Sequence, residues 1–296
     1  MKKNPISANI NPVGISEDKE RFLFLSEDGI FPITKDNRGN LIKNDSAKDV
    51  VFSGTIQGEG KLAGIPSLFV RLAQCNLCCS WVLPDGNECR CDTMYASNNL
   101  LFKQIKVKDA LETIKQNLGT LKHVVITGGE PMLQNESLVL LTNALKLETK
   151  THLTLETNGT LFDKRVARNI DLFSISPKLK NSHSLKPNSN ICESSQTEIC
   201  NKKRKNIEVL QSYINFARNN NKDIQMKFVV ANENEEIEIK EEFLWRLKNL
   251  SQSDIMVMPL GASVKELEQT SQNAFNIAVK NGWRFSPRLH IYLGCA

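Results

Sequence analysis

Apolar and polar positions along this chain change rhythm near Val50. Before it, residues 1–47 are polar and turn-rich, with Glu27-Asp28-Gly29 and Asn37-Arg38-Gly39, and read as an N-terminal extension carrying a short hairpin. After it, short apolar runs recur at Ser67–Leu72, His123–Thr127, His152–Glu156, Leu172–Ser176, Ile224–Val230 and Ile255–Met258. Runs of that length, rich in β-branched residues, are strands buried on both faces. Between most of them the spacing becomes helical. Val107, Ala110, Leu111, Ile114 and Leu118 share one face, and Leu138–Leu147, Ile207–Ala217, Glu236–Leu250 and Val264–Val279 repeat the pattern. Strands alternating with helices predict an α/β fold with a mostly parallel sheet. Six such repeats predict an incomplete (β/α)6-type barrel with its active site at the C-terminal rim of the strands. We read residues 48–296 as one domain, with loop insertions at 82–90 and at the Asn- and Ser-rich stretch 181–203.

Composition narrows the class. With 296 residues, 40% hydrophobic and 24% charged, the chain has enough apolar material for a sizeable core. A net charge of +5, spread along the chain, argues against nucleic-acid binding. The one dense basic run, Lys202-Lys203-Arg204-Lys205, reads as a solvated helix start. No apolar run nears the roughly 18 residues of a membrane span, and the basic N-terminus lacks the apolar stretch of a secretion signal. A cytoplasmic protein is expected.

Eight cysteines in a reducing compartment are poor candidates for disulfides. Five of them, Cys75, Cys78, Cys79, Cys89 and Cys91, fall within seventeen residues directly after a predicted strand. Three thiolates on one loop can hold a cubane iron–sulfur cluster and leave its fourth iron open for chemistry. A structural zinc site is the competing reading, although zinc knuckles usually come as separated Cys-x-x-Cys pairs.

Three later strands also end in polar turns: Thr127-Gly128-Gly129-Glu130-Pro131, Glu156-Thr157-Asn158-Gly159 and Ser176-Pro177-Lys178. Glycines after a strand let backbone N–H and C=O groups approach a ligand. All three turns belong on the rim that carries the cysteines.

Gln74-Cys75-Asn76-Leu77-Cys78-Cys79-Ser80-Trp81 and Cys91-Asp92-Thr93 resemble the two halves of the cluster loop of radical S-adenosylmethionine (SAM) enzymes. Together with Ile56-Gln57-Gly58-Glu59-Gly60, they are similar to the 7-carboxy-7-deazaguanine synthase family of the queuosine pathway. That family usually runs Cys-Asn-Leu-x-Cys-x-Trp-Cys-Asp-Thr; here residues 82–90 are inserted before the last cysteine, which leaves Cys78 and Cys89 as competing ligands. The resemblance implies a 4Fe–4S cluster on Cys75, Cys79 and Cys91, with Thr93 on Mg²⁺. It implies SAM contacts at Gly129, Glu130, Glu156, Asn158, Ser176, Pro177, Lys178, Met258 and Pro259. Substrate contacts are implied at Ile56, Gln57, Gly58, Thr127 and Arg71, the last as a bidentate partner for a carboxylate. The segment Arg288–Gly294 also resembles a family segment.

The implied reaction is ring contraction of 6-carboxy-5,6,7,8-tetrahydropterin to 7-carboxy-7-deazaguanine with loss of ammonia, started by a 5′-deoxyadenosyl radical. A homodimer and a flavodoxin- or ferredoxin-type reductant are implied partners. Two alternatives stand beside it: an activase that installs a glycyl radical on a partner protein, and a non-catalytic metal-binding module. The Gln57–Gly60 element is not expected of an activase.

Overall fold

A computed structural model describes residues 21–31, 55–97, 102–182 and 204–294. The rest of the predicted extension and nearly all of the 181–203 insertion lie outside the described residues. In chain order the strands are β1 (Phe22–Phe31), β2 (Leu68–Leu72), β3 (Ser80–Val82), β4 (Glu88–Arg90), β5 (Lys103–Lys106), β6 (His123–Gly128), β7 (His152–Thr157), β8 (Leu172–Ile175), β9 (Asp223–Val230), β10 (Ile255–Pro259) and β11 (Arg284–Phe285). The helices used below are α1 (Val107–Leu118), α2 (Asn135–Glu148), α3 (Ile207–Asn219) and α4 (Val264–Asn281).

One nine-stranded sheet runs β11-β10-β9-β8-β7-β6-β2-β1-β5. Pairing from β2 through β6, β7, β8, β9 and β10 is parallel throughout. Each of these strands returns through a crossover, so all their C-terminal ends meet on one rim. Every residue of β6, β8 and β10 is buried, as the uninterrupted apolar runs require for strands covered on both faces. The predicted stripe of α1 is the face it buries, and α2 buries Leu138, Leu141 and Leu145. Local chemistry sets the helix ends: Asn206 caps α3 through Val209 N, and Gly282 takes the left-handed conformation that closes α4.

Three elements differ from the sequence expectation. Phe22–Phe31, assigned above to an extension, is a strand of the main sheet, antiparallel to β2 and covered on its outer edge by β5. Its Leu23, Leu25 and Ile30 are core residues. The inserted 82–90 segment is part of a hairpin, β3–β4, with Trp81 opposite Cys89. Its turn is an Asx turn, with Asn87 N donating to Asp85 at 2.9 Å. The predicted helix over Glu236–Leu250 is one α turn, a π segment over Ile239–Phe243 and a 3-10 turn ending at Arg246. In a regular α-helix Ile239, Phe243 and Leu247 would drift about 40° per four residues. The π turn and the 3-10 turn after it instead leave all three buried, with Phe243 against Phe228 of β9.

Candidate active site

The C-terminal rim surrounds a cavity of about 520 Å³. The cysteine loop forms one wall, because β2 delivers it there and Gly129 lets it settle. A Cβ at Gly129 would collide with the Gln74 carbonyl and crowd Cys75, so only glycine allows this approach. Gln74 N bonds Ala96 O at 2.7 Å, and Glu130 N bonds Gln74 O at 2.8 Å, tying both ends of the loop to the rim.

Cys75, Cys78, Cys79, Cys89 and Cys91 all line the cavity. Burial pushes Cys75 up to about 11 and Cys79 up to about 12, and it raises Cys91 as well. Cys79 lies within the electrostatic reach of Cys75, Cys78 and Cys91, and the Lys178 charge acts on Cys75, Cys79 and Cys91 alike. Cys89 is different. It sits on the inward face of the hairpin, in an apolar cluster with Trp81, Leu83, Ala231 and Leu260, and its charged neighbours are Glu266, Arg288 and Asp92. Grouped thiols held this high are favoured as thiolates only by a bound cationic group. Cys75, Cys78 and Cys91 around Cys79, with one flanking lysine and open volume beside them, offer the thiols that a cluster held by three cysteines needs.

The hairpin is fastened over this wall. Trp81 Nε1 donates to Asn181 Oδ1 at 3.1 Å, and Gln269 of α4 donates to Asp85 at 2.9 Å. The sequence held a usable signal for it: Pro84-Asp85-Gly86 is turn chemistry between two short alternating segments.

The Gln57–Gly60 turn forms another part of the cavity wall, with Glu59, Asp92 and His290 offering ligand atoms within 4.8 Å of one another. Gly60, at φ +72, packs against Gln225, where a Cβ would not fit. Lys61 N donates to Gln225 Oε1 at 2.7 Å and Gly60 N to Ser286 Oγ at 2.9 Å. Lys61 Nζ is held by Asp223 at 2.6 Å and Asp254 at 2.9 Å. A turn from one end of the chain is thus pinned between β9 and the C-terminal segment.

A ladder of alternating charges crosses the cavity floor. Glu156 accepts from Thr127 Oγ1 at 2.9 Å, Gln57 Nε2 at 3.1 Å and Lys227 Nζ at 3.3 Å. Lys227 also bonds Glu59 at 2.7 Å, Glu59 bonds Arg288 Nε at 3.1 Å, and Arg288 bonds Asp92. Burial by itself would raise the Glu59 pKa, but Lys227 and Arg288 outweigh it and hold the carboxyl well below its usual range. Asp92 is lowered in the same way, against burial, chiefly by Arg288. Burial would lower Lys227, yet Glu156 and Glu59 raise it. His290, 3.9 Å from Glu59, is lowered by burial, against the Glu59 charge, which raises it. Sequence reasoning gave Glu59, Lys227 and Arg288 no individual role. The signal was there for Lys227: a lysine inside the apolar run Ile224–Val230 must be paired if the strand is buried.

The other predicted positions divide clearly. Ile56, Gln57, Gly58, Arg71 and Thr127 line the cavity, as do Gly129, Glu156, Asn158, Ser176, Lys178 and Met258. Thr93 lines it too, with its hydroxyl 3.3 Å from Cys91 Sγ. Glu130, Pro177 and Pro259 are not among the lining residues. Glu130 is fully buried, and its carboxylate accepts from Met132 N at 3.0 Å, Asn158 N at 2.7 Å and Thr157 Oγ1 at 2.8 Å. Burial raises its pKa against these bonds. That side chain staples the Gly128–Glu130 turn to the end of β7, and so fixes where Gly129 and Asn158 stand.

The profile of the Radical SAM superfamily matches residues 89–185. The chain is 33% identical to the 7-carboxy-7-deazaguanine synthase of Halobacterium salinarum, over 81% of this chain and 87% of that protein. It is 32% identical to the enzyme of the same name from Hyperthermus butylicus, over 84% of this chain and 93% of that protein. The crystal structure of QueE from Escherichia coli shares the fold, with a TM-score of 0.50 at 23% identity, over 79% of this chain and 89% of that one.

Proposed function

Because the chain belongs to the 7-carboxy-7-deazaguanine synthase family of the radical SAM superfamily, we infer that it converts 6-carboxy-5,6,7,8-tetrahydropterin to 7-carboxy-7-deazaguanine, with loss of ammonia, in 7-deazapurine biosynthesis. One observation supports this reading above the rest. The cysteine loop, the glycine turn and the Gln57–Gly60 element, far apart in sequence, bound a single cavity.

Cys75, Cys79 and Cys91 would hold the 4Fe–4S cluster, and Gly129, Asn158, Ser176, Lys178 and Met258 would hold SAM beside it. When bound, cluster and SAM together supply a carbon-centred radical for hydrogen abstraction. The chain's own residues do the rest. Arg71, on β2, suits the substrate carboxylate through its planar fork. Gln57, Thr127 and Glu156 form a preassembled row of donors and acceptors suited to the amide-like edge of a pterin. Thr93 is the protein ligand we assign to Mg²⁺, which takes oxygen ligands and leaves room for substrate oxygens. The buried ladder fixes its carboxylates against Lys227 and Arg288, so orientation costs little reorganisation at the moment of reaction. Leu77, Trp81 and Leu260 make the wall beside the thiols apolar and keep water from it.

The same family resemblance carries a homodimeric assembly, a flavodoxin- or ferredoxin-type electron donor and a cytoplasmic location. No helix among the described residues is long and apolar enough to cross a membrane.

Anaerobic reconstitution with iron and sulfide, followed by dithionite, SAM and the carboxytetrahydropterin, tests the reading. The expected product is 7-carboxy-7-deazaguanine, detected by mass spectrometry. 5′-Deoxyadenosine without that product would point to a different substrate. Absence of SAM cleavage by a verified cluster would overturn the radical reading.

A further inference from the structure

The ladder joins the Gln57–Gly60 turn to the cluster loop through Arg288, a residue to which the family-like segment Arg288–Gly294 gives no role. We propose that Arg288 is a positioning residue that ties the substrate turn to the cluster loop, an inference that rests on the functional reading above.

Its guanidinium is 5% exposed and reaches three separate segments. Nε donates to Glu59 Oε1 at 3.1 Å, in the Gln57–Gly60 turn. Nη2 donates to Asp92 Oδ2, the residue that follows Cys91 and precedes Thr93. Nη1 donates to the carbonyl of Gly261, in the turn after β10. Three acceptors in three directions match the rigid fork of arginine. A lysine ammonium, a compact charge at the end of a flexible stem, cannot reproduce them together.

The main chain around Arg288 is docked independently of its side chain. Ser286 N bonds Val257 O at 2.9 Å, Gly60 N bonds Ser286 Oγ at 2.9 Å, and Leu289 N bonds Gly58 O at 3.0 Å. The side chain therefore adds no anchor that the C-terminal segment lacks. What it adds is a link from that segment to Asp92, and through Asp92 to the loop that carries Cys91 and Thr93. Glu59 has Lys227 as a second directly bonded cation at 2.7 Å, whereas Asp92 is bonded by Arg288 and feels the Arg71 charge besides. Loosening Arg288 should therefore move the cluster end more than the substrate end.

The test compares wild type with Arg288→Lys and Asp92→Asn. In cluster-free protein, amide hydrogen exchange should quicken about tenfold or more across 91–97 in both variants, and by a smaller factor across 55–61 in Arg288→Lys only. In the reconstituted enzyme Arg288→Lys should lower kcat about 10- to 100-fold, the scale of a misplaced reacting group, with a smaller change in KM. Deoxyadenosine formed per product molecule should rise, because the two ends no longer hold register. Wild-type exchange over 91–97 in Arg288→Lys, or quickening spread evenly over the chain, would overturn the proposal. If Arg288→Lys does not fold, Asp92→Asn decides: selective loosening of 91–97 supports the tie and its absence removes it. Failure of the wild-type enzyme to act on the pterin would defeat the functional reading, and the exchange data would still judge the tie.

Discussion

Lys227 offers the sharpest test of the charge ladder, because it is almost fully buried between two carboxylates. Its ammonium bonds Glu59 at 2.7 Å and Glu156 at 3.3 Å, with the Lys227 side chain only 5% exposed. Lys227→Met keeps length and apolar bulk but leaves both acids without that partner. Removing one side of a buried ion pair costs about 3–5 kcal/mol. Glu59 retains Arg288, and Glu156 retains Gln57 and Thr127, so the lower end, about 3 kcal/mol, applies here. For a domain of this size that is a fall of about 6–12 °C in Tm. The pH dependence identifies the cause. In the wild type the Glu59 pKa is depressed, so its contribution is present above the unfolded carboxylate value and is lost on acidification. Without Lys227 the Glu59 pKa must climb, and protonation then relieves the unpaired charge. The variant's deficit should therefore be largest near neutral pH and shrink between about pH 7.5 and about pH 5. Thermal melts of cluster-free protein at both pH values measure this. A deficit that stays constant with pH would refute the electrostatic account and leave only a packing effect.

Three further outcomes are expected. Cys75→Ala, Cys79→Ala and Cys91→Ala should each abolish iron retention and visible absorbance after reconstitution, while Cys78→Ala and Cys89→Ala retain them; retained iron in Cys79→Ala would make Cys78 the ligand. His123, buried between Ser67 and Thr154 at 2.7 Å each, is lowered to about 4 by burial first and by His152 second. Its folded pKa lies below its unfolded one, so its contribution is complete above about pH 6.5 and is lost as pH falls toward 4. Denaturant titrations across that window should show up to about 3 kcal/mol less stability, and His123→Gln should flatten the slope; an unchanged slope would remove the assignment. Trp81→Ala should cost about 3 kcal/mol by emptying the hairpin's apolar contact and removing its bond to Asn181. Limited proteolysis should then cut within residues 83–88 first, and cutting elsewhere would contradict that placement.

The strands and their rim were legible because buried parallel strands leave uninterrupted apolar runs. Each of the six predicted runs differs from the observed strand by a single residue at one end. Helix α1 was legible from a stripe of five apolar positions, all five of which are buried. The segment after Asn234 was legible only as helical. Spacing records which side chains share a face, and does not record how the backbone winds to keep them there. Phe22–Phe31 was assigned to an extension because its partner β2 lies some forty residues on, across polar sequence that carries no pairing signal.

For the site, residue type and order along the chain singled out the cysteine loop and the glycine turn, and a family resemblance singled out the Gln57–Gly60 element; the structure brings all three to one cavity. Sequence alone left Glu130 as a contact and Lys227 as part of a strand. Only the tertiary structure decided that the Glu130 carboxylate is spent on three neighbours, and that Lys227 and Arg288 alternate with Glu59, Glu156 and Asp92. The physical reason is that an ion pair is a property of two positions in space. Its partners here come from β7, β9, a turn before β2, the cluster loop and the C-terminal segment, and folding alone brings them within bonding distance.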